Sequence, residues 1–293
     1  MKTNRIIMTL CLIVLLCGTG MAQTTINTWL SGNGNHWTNA ANWSLGMVPD
    51  STQQAFVPGT NSNMYVGGDL IVDGPAFAYS ILLQSGTYAV NVTNGGILTV
   101  YQGGNSVYTT GNGYRTFTVF AGSALVDAAP NGGGNYVRAF LNIFDGATVT
   151  GFDDLRTGAK VTIDGGTWTP ATLSVAGSIA MNTAAVELNA GTLYLGLFRD
   201  GSVCYFNIIA AATGPTLDFT GGNIVLVPQN GYVPKAGHSY TLWIDGGTGT
   251  TFLPGTGQNI SIQGYPEVSF DLSQWASTGT LIVQNSGTLL TVR

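Results

Sequence analysis

The sequence predicts an all-β protein, a right-handed parallel β-solenoid with a cap at each end, and three observations predict it. Helix formers are scarce: beyond residue 22 the only lysines are Lys160 and Lys235 and the only glutamates Glu187 and Glu267, while glycine fills 42 of 293 positions. Such a composition favours strands and turns. A local pattern then recurs, in which alternating apolar residues run into a glycine turn and resume after it. Val119-Phe120-Ala121-Gly122-Ser123-Ala124-Leu125 and Ile143-Phe144-Asp145-Gly146-Ala147-Thr148-Val149 are two cases. Finally, Gly96, Gly122, Gly146, Gly165, Gly191 and Gly222 follow one another at 26, 24, 19, 26 and 31 residues, the near-regular recurrence of a repeat architecture. Pairs such as Asp73-Gly74, Asn94-Gly95 and Asp200-Gly201 also suit tight hairpins, so an antiparallel β-sandwich is the alternative.

Taken in order, residues 1–22 read as a secretory signal peptide. Lys2 and Arg5 form its basic start, Ile6 to Cys17 its apolar run, and Gly20-Met21-Ala22 the small-residue site before Gln23. A lipoprotein signal on Cys17 is disfavoured by the preceding Leu16, and the run is too short for a membrane anchor. The mature chain keeps 7 of the 9 cationic residues and all 14 acidic ones, a formal charge of −7. Charged residues make up 8% of the whole, against roughly 25% in an ordinary domain. So few scattered cations argue against a nucleic-acid partner, and without a basic amphipathic stretch no membrane insertion is expected once the signal is removed. Cys11 and Cys17 leave with the signal, so Cys204, among Val203, Tyr205 and Phe206, is expected as a buried inert thiol with no disulfide partner.

Residues 23–60 carry Trp29, Trp37 and Trp43 with little alternation, and are expected to form an N-terminal cap. Residues 61–227 hold the repeats, each coil turning at glycine where the backbone needs a positive φ or a close approach. The stretch from Ala180 to Ala190 alone has some helical character. Residues 228–293, opening with Pro228 to Pro234, are expected to form a C-terminal β cap that blocks edge pairing.

The stretch Trp29 to Ser44, followed by Val48-Pro49-Asp50, resembles the tryptophan-rich opening of secreted, autotransporter-passenger-like β-helix proteins of bacteria that sort exports with a C-terminal PEP signal. The glycine-turn repeats are similar to the passenger-associated repeats of that group. Phe270 to Trp275 with Gly279-Thr280-Leu281-Ile282-Val283 resembles its closing strand. The likeness is patchy, and Thr291-Val292-Arg293 carries no PEP motif. It implies a secreted, extracellular or cell-surface location and no defined activity.

Few constellations suit chemistry. Asp153-Asp154-Leu155-Arg156, with Lys160, is the densest charged cluster. It matches the carboxylates and bases that sugar-cleaving enzymes use, although adjacent aspartates on a strand point to opposite faces; the plainer reading is a polar loop interrupting the coils. Asp145, Asp164 and Asp245 precede glycines at turns and are the calcium candidates, though turn aspartates usually bond their own backbone. Cofactors are otherwise not expected. His36 and His238 have no zinc-site spacing, no G-x-S-x-G elbow occurs, and Gly103-Gly104 and Gly132-Gly133-Gly134 lack the Lys-Ser/Thr of a phosphate loop. Trp29, Trp37 and Trp43, with Tyr65, would make either a platform for sugar rings or a plug on the first coil. Three functions follow as expectations: a non-catalytic adhesion or scaffolding protein, with cell-surface polysaccharide or other surface proteins as partners; a polysaccharide lyase or hydrolase around Asp153–Lys160; and a carbohydrate-binding module using the tryptophans.

Overall fold

The structure is a computed structural model that describes residues 25–30, 34–58, 69–84, 89–101, 107–110, 115–128, 136–170, 178–198, 205–208, 214–245, 249–256 and 259–284. Three sheets of nine, eight and eight strands carry the chain, and every strand pair within them is parallel. From Gln53–Val57 to Asn223–Pro228 the chain visits the three sheets in rotation. Ser80–Gln84 belongs to the first, Val90–Val92 to the second and Ile97–Val100 to the third; Val107–Thr110, Thr116–Val119 and Ala124–Asp127 then add one strand to each again. We call one such circuit a rung. This order is consistent with a parallel β-helix and excludes the antiparallel sandwich for these sheets. Antiparallel pairing is confined, among the described residues, to a small sheet of Ser239–Thr241, Thr280–Gln284 and Ser269–Asp271 and to two isolated bridges.

Alternation in the sequence becomes stacking in the interior. Leu70, Val90, Phe117, Leu141, Val161, Val186 and Leu217 occupy one register column of the second sheet, each at most 1% exposed. Ala55, Ile81, Val107, Val137, Leu155, Met181 and Ile208 form the equivalent column of the first sheet. Burying each larger aliphatic side chain contributes about 1.5–3 kcal/mol, so the columns are the main source of cohesion. The facing outward column of the second sheet is Asn91, Thr118, Asn142, Thr162, Glu187 and Asp218.

The glycines mark the corner between the second and third sheets. Gly122, Gly146, Gly165, Gly191 and Gly222 all have positive φ. In the rung of Val90–Val92 the left-handed residues are Asn94 and Gly95 rather than Gly96, because asparagine also tolerates that region. Gly96 instead lies flat against the Val72 carbonyl, where a Cβ would collide.

At one end Trp29, Trp37 and Trp43 pack edge to face, Trp43 at 5.0 Å from Trp29 and 4.8 Å from Trp37. Trp43 Nε1 donates to the Trp37 carbonyl at 2.8 Å. The rung order starts within residues 23–60, since Thr25–Thr28 and Gln53–Val57 already pair in the first sheet. It also runs past residue 227: Trp243–Asp245, Thr251–Leu253 and Ile260–Ile262 extend all three sheets. The cap proper at that end is the small antiparallel sheet with the helix Trp275–Thr278. Trp275 stacks on Phe219 and donates from Nε1 to the Pro254 carbonyl at 2.8 Å. The Ala180–Ala190 stretch contains two strands, Ser178–Met181 and Ala185–Leu188, and no helix; their inward Ile179, Met181, Val186 and Leu188 follow the strand period. No helix among the described residues is long and apolar enough to cross a membrane.

Candidate functional site

The charged cluster begins at the turn from the third sheet back to the first. Gly151 and Phe152 both take left-handed backbone, with φ of 88° and 61°. Gly151 is required there, since a Cβ would run into Asp127. For Phe152 the conformation costs about 1–2 kcal/mol, offset by complete burial of its ring. The Gly151 amide donates to the Thr169 carbonyl at 2.8 Å, and its own carbonyl accepts from Trp168 Nε1 at 3.2 Å. The turn delivers Asp153 and then the two-residue strand Asp154–Leu155, which sits in register between Tyr136-Val137 and Ala180-Met181. The segment is thus a rung of the first sheet, not a polar loop interrupting the coils.

Asp153 and Asp154 are both buried. The Asp153 carbonyl accepts from the Ala180 amide at 2.7 Å, while Asp154 Oδ2 lies 2.8 Å from Arg156 Nη2. Burial pushes the Asp154 carboxyl above its ordinary value; Arg156 opposes the shift and Asp153 adds to it. The Arg156 amide donates to the Val137 carbonyl of the preceding rung at 3.0 Å. Lys160 does not join this group. It opens a strand of the second sheet, and its Nζ lies 2.7 Å from Glu187 Oε1. The four candidate residues therefore fall on two sheets, with Asp154 and Arg156 paired on the first and Lys160 engaged on the second. A carboxyl whose pKa burial raises, held beside a guanidinium, is suited to anchor a polar group.

Trp29, Trp37 and Trp43 are 0–1% exposed and offer no ring face to a ligand. Asp145 and Asp164 are exposed at the glycine corners of successive rungs. Asp245 ends a strand of the first sheet, with its side chain outside the described atoms. No three His, Cys, Asp or Glu side chains converge among the described residues. Tyr65, Cys204, Gly103-Gly104 and Gly132-Gly133-Gly134 lie outside the described residues. His36 Nδ1 meets Asp73 Oδ2 at 2.7 Å, tying the tryptophan cap to the first full rung. His238 Nδ1 meets the Tyr232 hydroxyl at 2.6 Å, and that hydroxyl meets Tyr240's at 2.8 Å. Burial, and then the Tyr232 hydrogen bond, push the Tyr240 phenol upward.

Sequence reasoning missed Arg115, which is 1% exposed. Its Nε donates to the Gln84 carbonyl at 2.6 Å and its Nη2 to the Pro58 carbonyl at 2.8 Å, joining three successive rungs at one corner. It also missed the Glu187 and Asp73 pairings. A small, shallow cleft near the C-terminal cap is lined by Phe219, Gly221, Gly222, Asn259, Ile260 and Trp275 among others, none of them from the charged cluster. In comparison with known proteins, no family model, curated protein or solved structure matches the chain.

Proposed function

We propose that the protein is a secreted, non-catalytic β-solenoid of the cell surface or extracellular matrix, acting through its extended faces in adhesion or scaffolding. In this reading the three sheets close into a right-handed coil, residues 1–22 direct export, and the partners are surface polysaccharides or other surface proteins. The observation that carries it is the division of the charged cluster: Lys160 is engaged with Glu187 on the second sheet, and Asp154 with Arg156 on the first. A proton-transfer site needs its acid and base converging on one substrate atom, and Lys160 stands on a different sheet from Asp154. The signal-like N-terminus and the polar column of the second sheet, mostly Asn and Thr, support the same reading.

One observation favours the second reading, a polysaccharide lyase or hydrolase: the raised Asp154 carboxyl is the kind of group that serves as a general acid. Fractionation of native cells, combined with incubation of purified protein with pectic, alginate and glucan substrates with and without Ca²⁺, separates the two. Recovery in the surface or matrix fraction with no new reducing ends or unsaturated products is the expected result. Turnover that disappears in Asp154→Ala would overturn the scaffold reading.

A further inference from the structure

The outer face of the second sheet and its corner carry partly exposed aromatic rings. Phe140 and Phe144 lie at the two ends of the strand Phe140–Phe144, both outward, with Asn142 between them. Phe140 is 37% exposed, as is Phe120 at the corner of the preceding rung. Phe120 and Phe144 lean together, with centroids 5.5 Å apart and planes at 39°. In the following rung Lys160, Thr162 and Asp164 stand in register with Phe140, Asn142 and Phe144. Four residues of strand separate the two aromatic positions by about 13 Å, and the rungs repeat at about 4.8 Å. The result is a strip with a ring at each end and a carboxamide and hydroxyl in the middle.

We propose that this strip binds a linear, uncharged polysaccharide. A pyranose ring offers an apolar face of C–H groups and a rim of hydroxyls. Aromatic rings take the first, and amide, hydroxyl and carboxylate groups take the second. Asn142 and Thr162 supply the middle of the strip, and the exposed Asp164 accepts from hydroxyls at its edge. Charge selects the class. Lys160 is matched by Glu187 at 2.7 Å, Asp145 and Asp164 leave the corner acidic, and the chain as a whole carries −5. Polyanionic glycans are therefore repelled, while neutral ones pay no such penalty. The strip is separate from the three tryptophans and from Asp154. This inference deepens the scaffold reading by naming the class of its partner.

Affinity electrophoresis of the full chain through gels containing mixed-linkage glucan, xylan or polygalacturonate tests it. The neutral polymers are expected to retard the protein, and polygalacturonate is not. Phe140→Ala and Asn142→Ala should each weaken retention about tenfold, the scale of one well-placed contact. Phe77→Ala, an exposed ring on the third sheet, should leave retention unchanged. Thermal melts by circular dichroism accompany each variant. Asn142→Ala, outward and only half-buried, keeps the test valid if Phe140→Ala fails to fold. Absence of retardation by every neutral polymer overturns the proposal. So does undiminished retention in a folded Phe140→Ala or Asn142→Ala, or retention by polygalacturonate alone that salt abolishes. The scaffold reading fails on a different signal, shortening of the polymer.

Discussion

Arg115 shows how a buried charge is accommodated in a chain with so few. Its guanidinium meets backbone carbonyls 31 and 57 residues upstream, so carbonyls orphaned at a corner are satisfied by a charged donor. Hydrogen bonds from a charged donor contribute roughly 1.5–3 kcal/mol each. Arg115→Met should therefore lower unfolding free energy by about 3 kcal/mol or more in a denaturant titration. Nothing local marks this residue, because its role depends on two rungs distant in sequence. Asp154 makes a second prediction. Its folded pKa lies above the ordinary 3.8 because it is buried. The folded chain thus holds this proton longer than the unfolded one. Stability from this group is greatest below pH 3.8 and is lost as pH rises through the raised folded value. Asp154→Asn removes that dependence, so the melting temperature of the variant minus that of the parent should climb as pH rises through this window. Asp50 and Asp271 run the other way: hydrogen bonds from Thr52 and Ser273 lower their pKa values, so their contribution is present above 3.8 and lost as pH falls below it. The difference measurement cancels them.

Strands and corners were legible to unequal degrees. Leu141 and Ile143 alternate with Asn142 and Phe144, and the structure puts the first pair inside and the second outside. Asp154–Leu155 is too short to alternate, so its membership of the first sheet comes from neighbouring rungs and not from its own residues. The tryptophan cluster was legible as a feature, but its burial rests on partners contributed by the first rungs. Corner glycines were legible by spacing, yet spacing does not tell how much each is needed. Gly191 has φ 84°, and a Cβ there would strike the Gly166 carbonyl. Gly122 has φ 72° with open space around it. Gly191→Ala should cost about 2–4 kcal/mol, combining backbone strain with overpacking, and Gly122→Ala about 1–2 kcal/mol from strain alone. Paired thermal melts of the two variants check the order.

Across the molecule each rung touches mainly its two neighbours, so stability accumulates along one direction. The middle rungs, from Val107–Thr110 to Thr192–Leu197, have partners on both sides in all three sheets. Thr251–Leu253 and Ile260–Ile262 end their sheets. Hydrogen exchange followed by mass spectrometry should show protection highest in the middle rungs and declining toward both ends; uniform protection would mean a single cooperative unit. The antiparallel alternative left open by the Asp-Gly and Asn-Gly pairs was settled only by inter-strand pairing, since those dipeptides serve a corner as well as a hairpin.

Strand order has a mechanical consequence. Nine strands of the first sheet, separated by about 4.8 Å, give an axis of about 38 Å, with the tryptophan cap at one end and the Trp275 cap at the other. Ladder hydrogen bonds run along that axis. A pull between the two ends therefore loads them lengthwise and in succession, as in a zipper, rather than together in shear. Under such tension the protein would pay out slack rung by rung from its ends and resist sudden rupture by yielding early, the behaviour of an extensible tether.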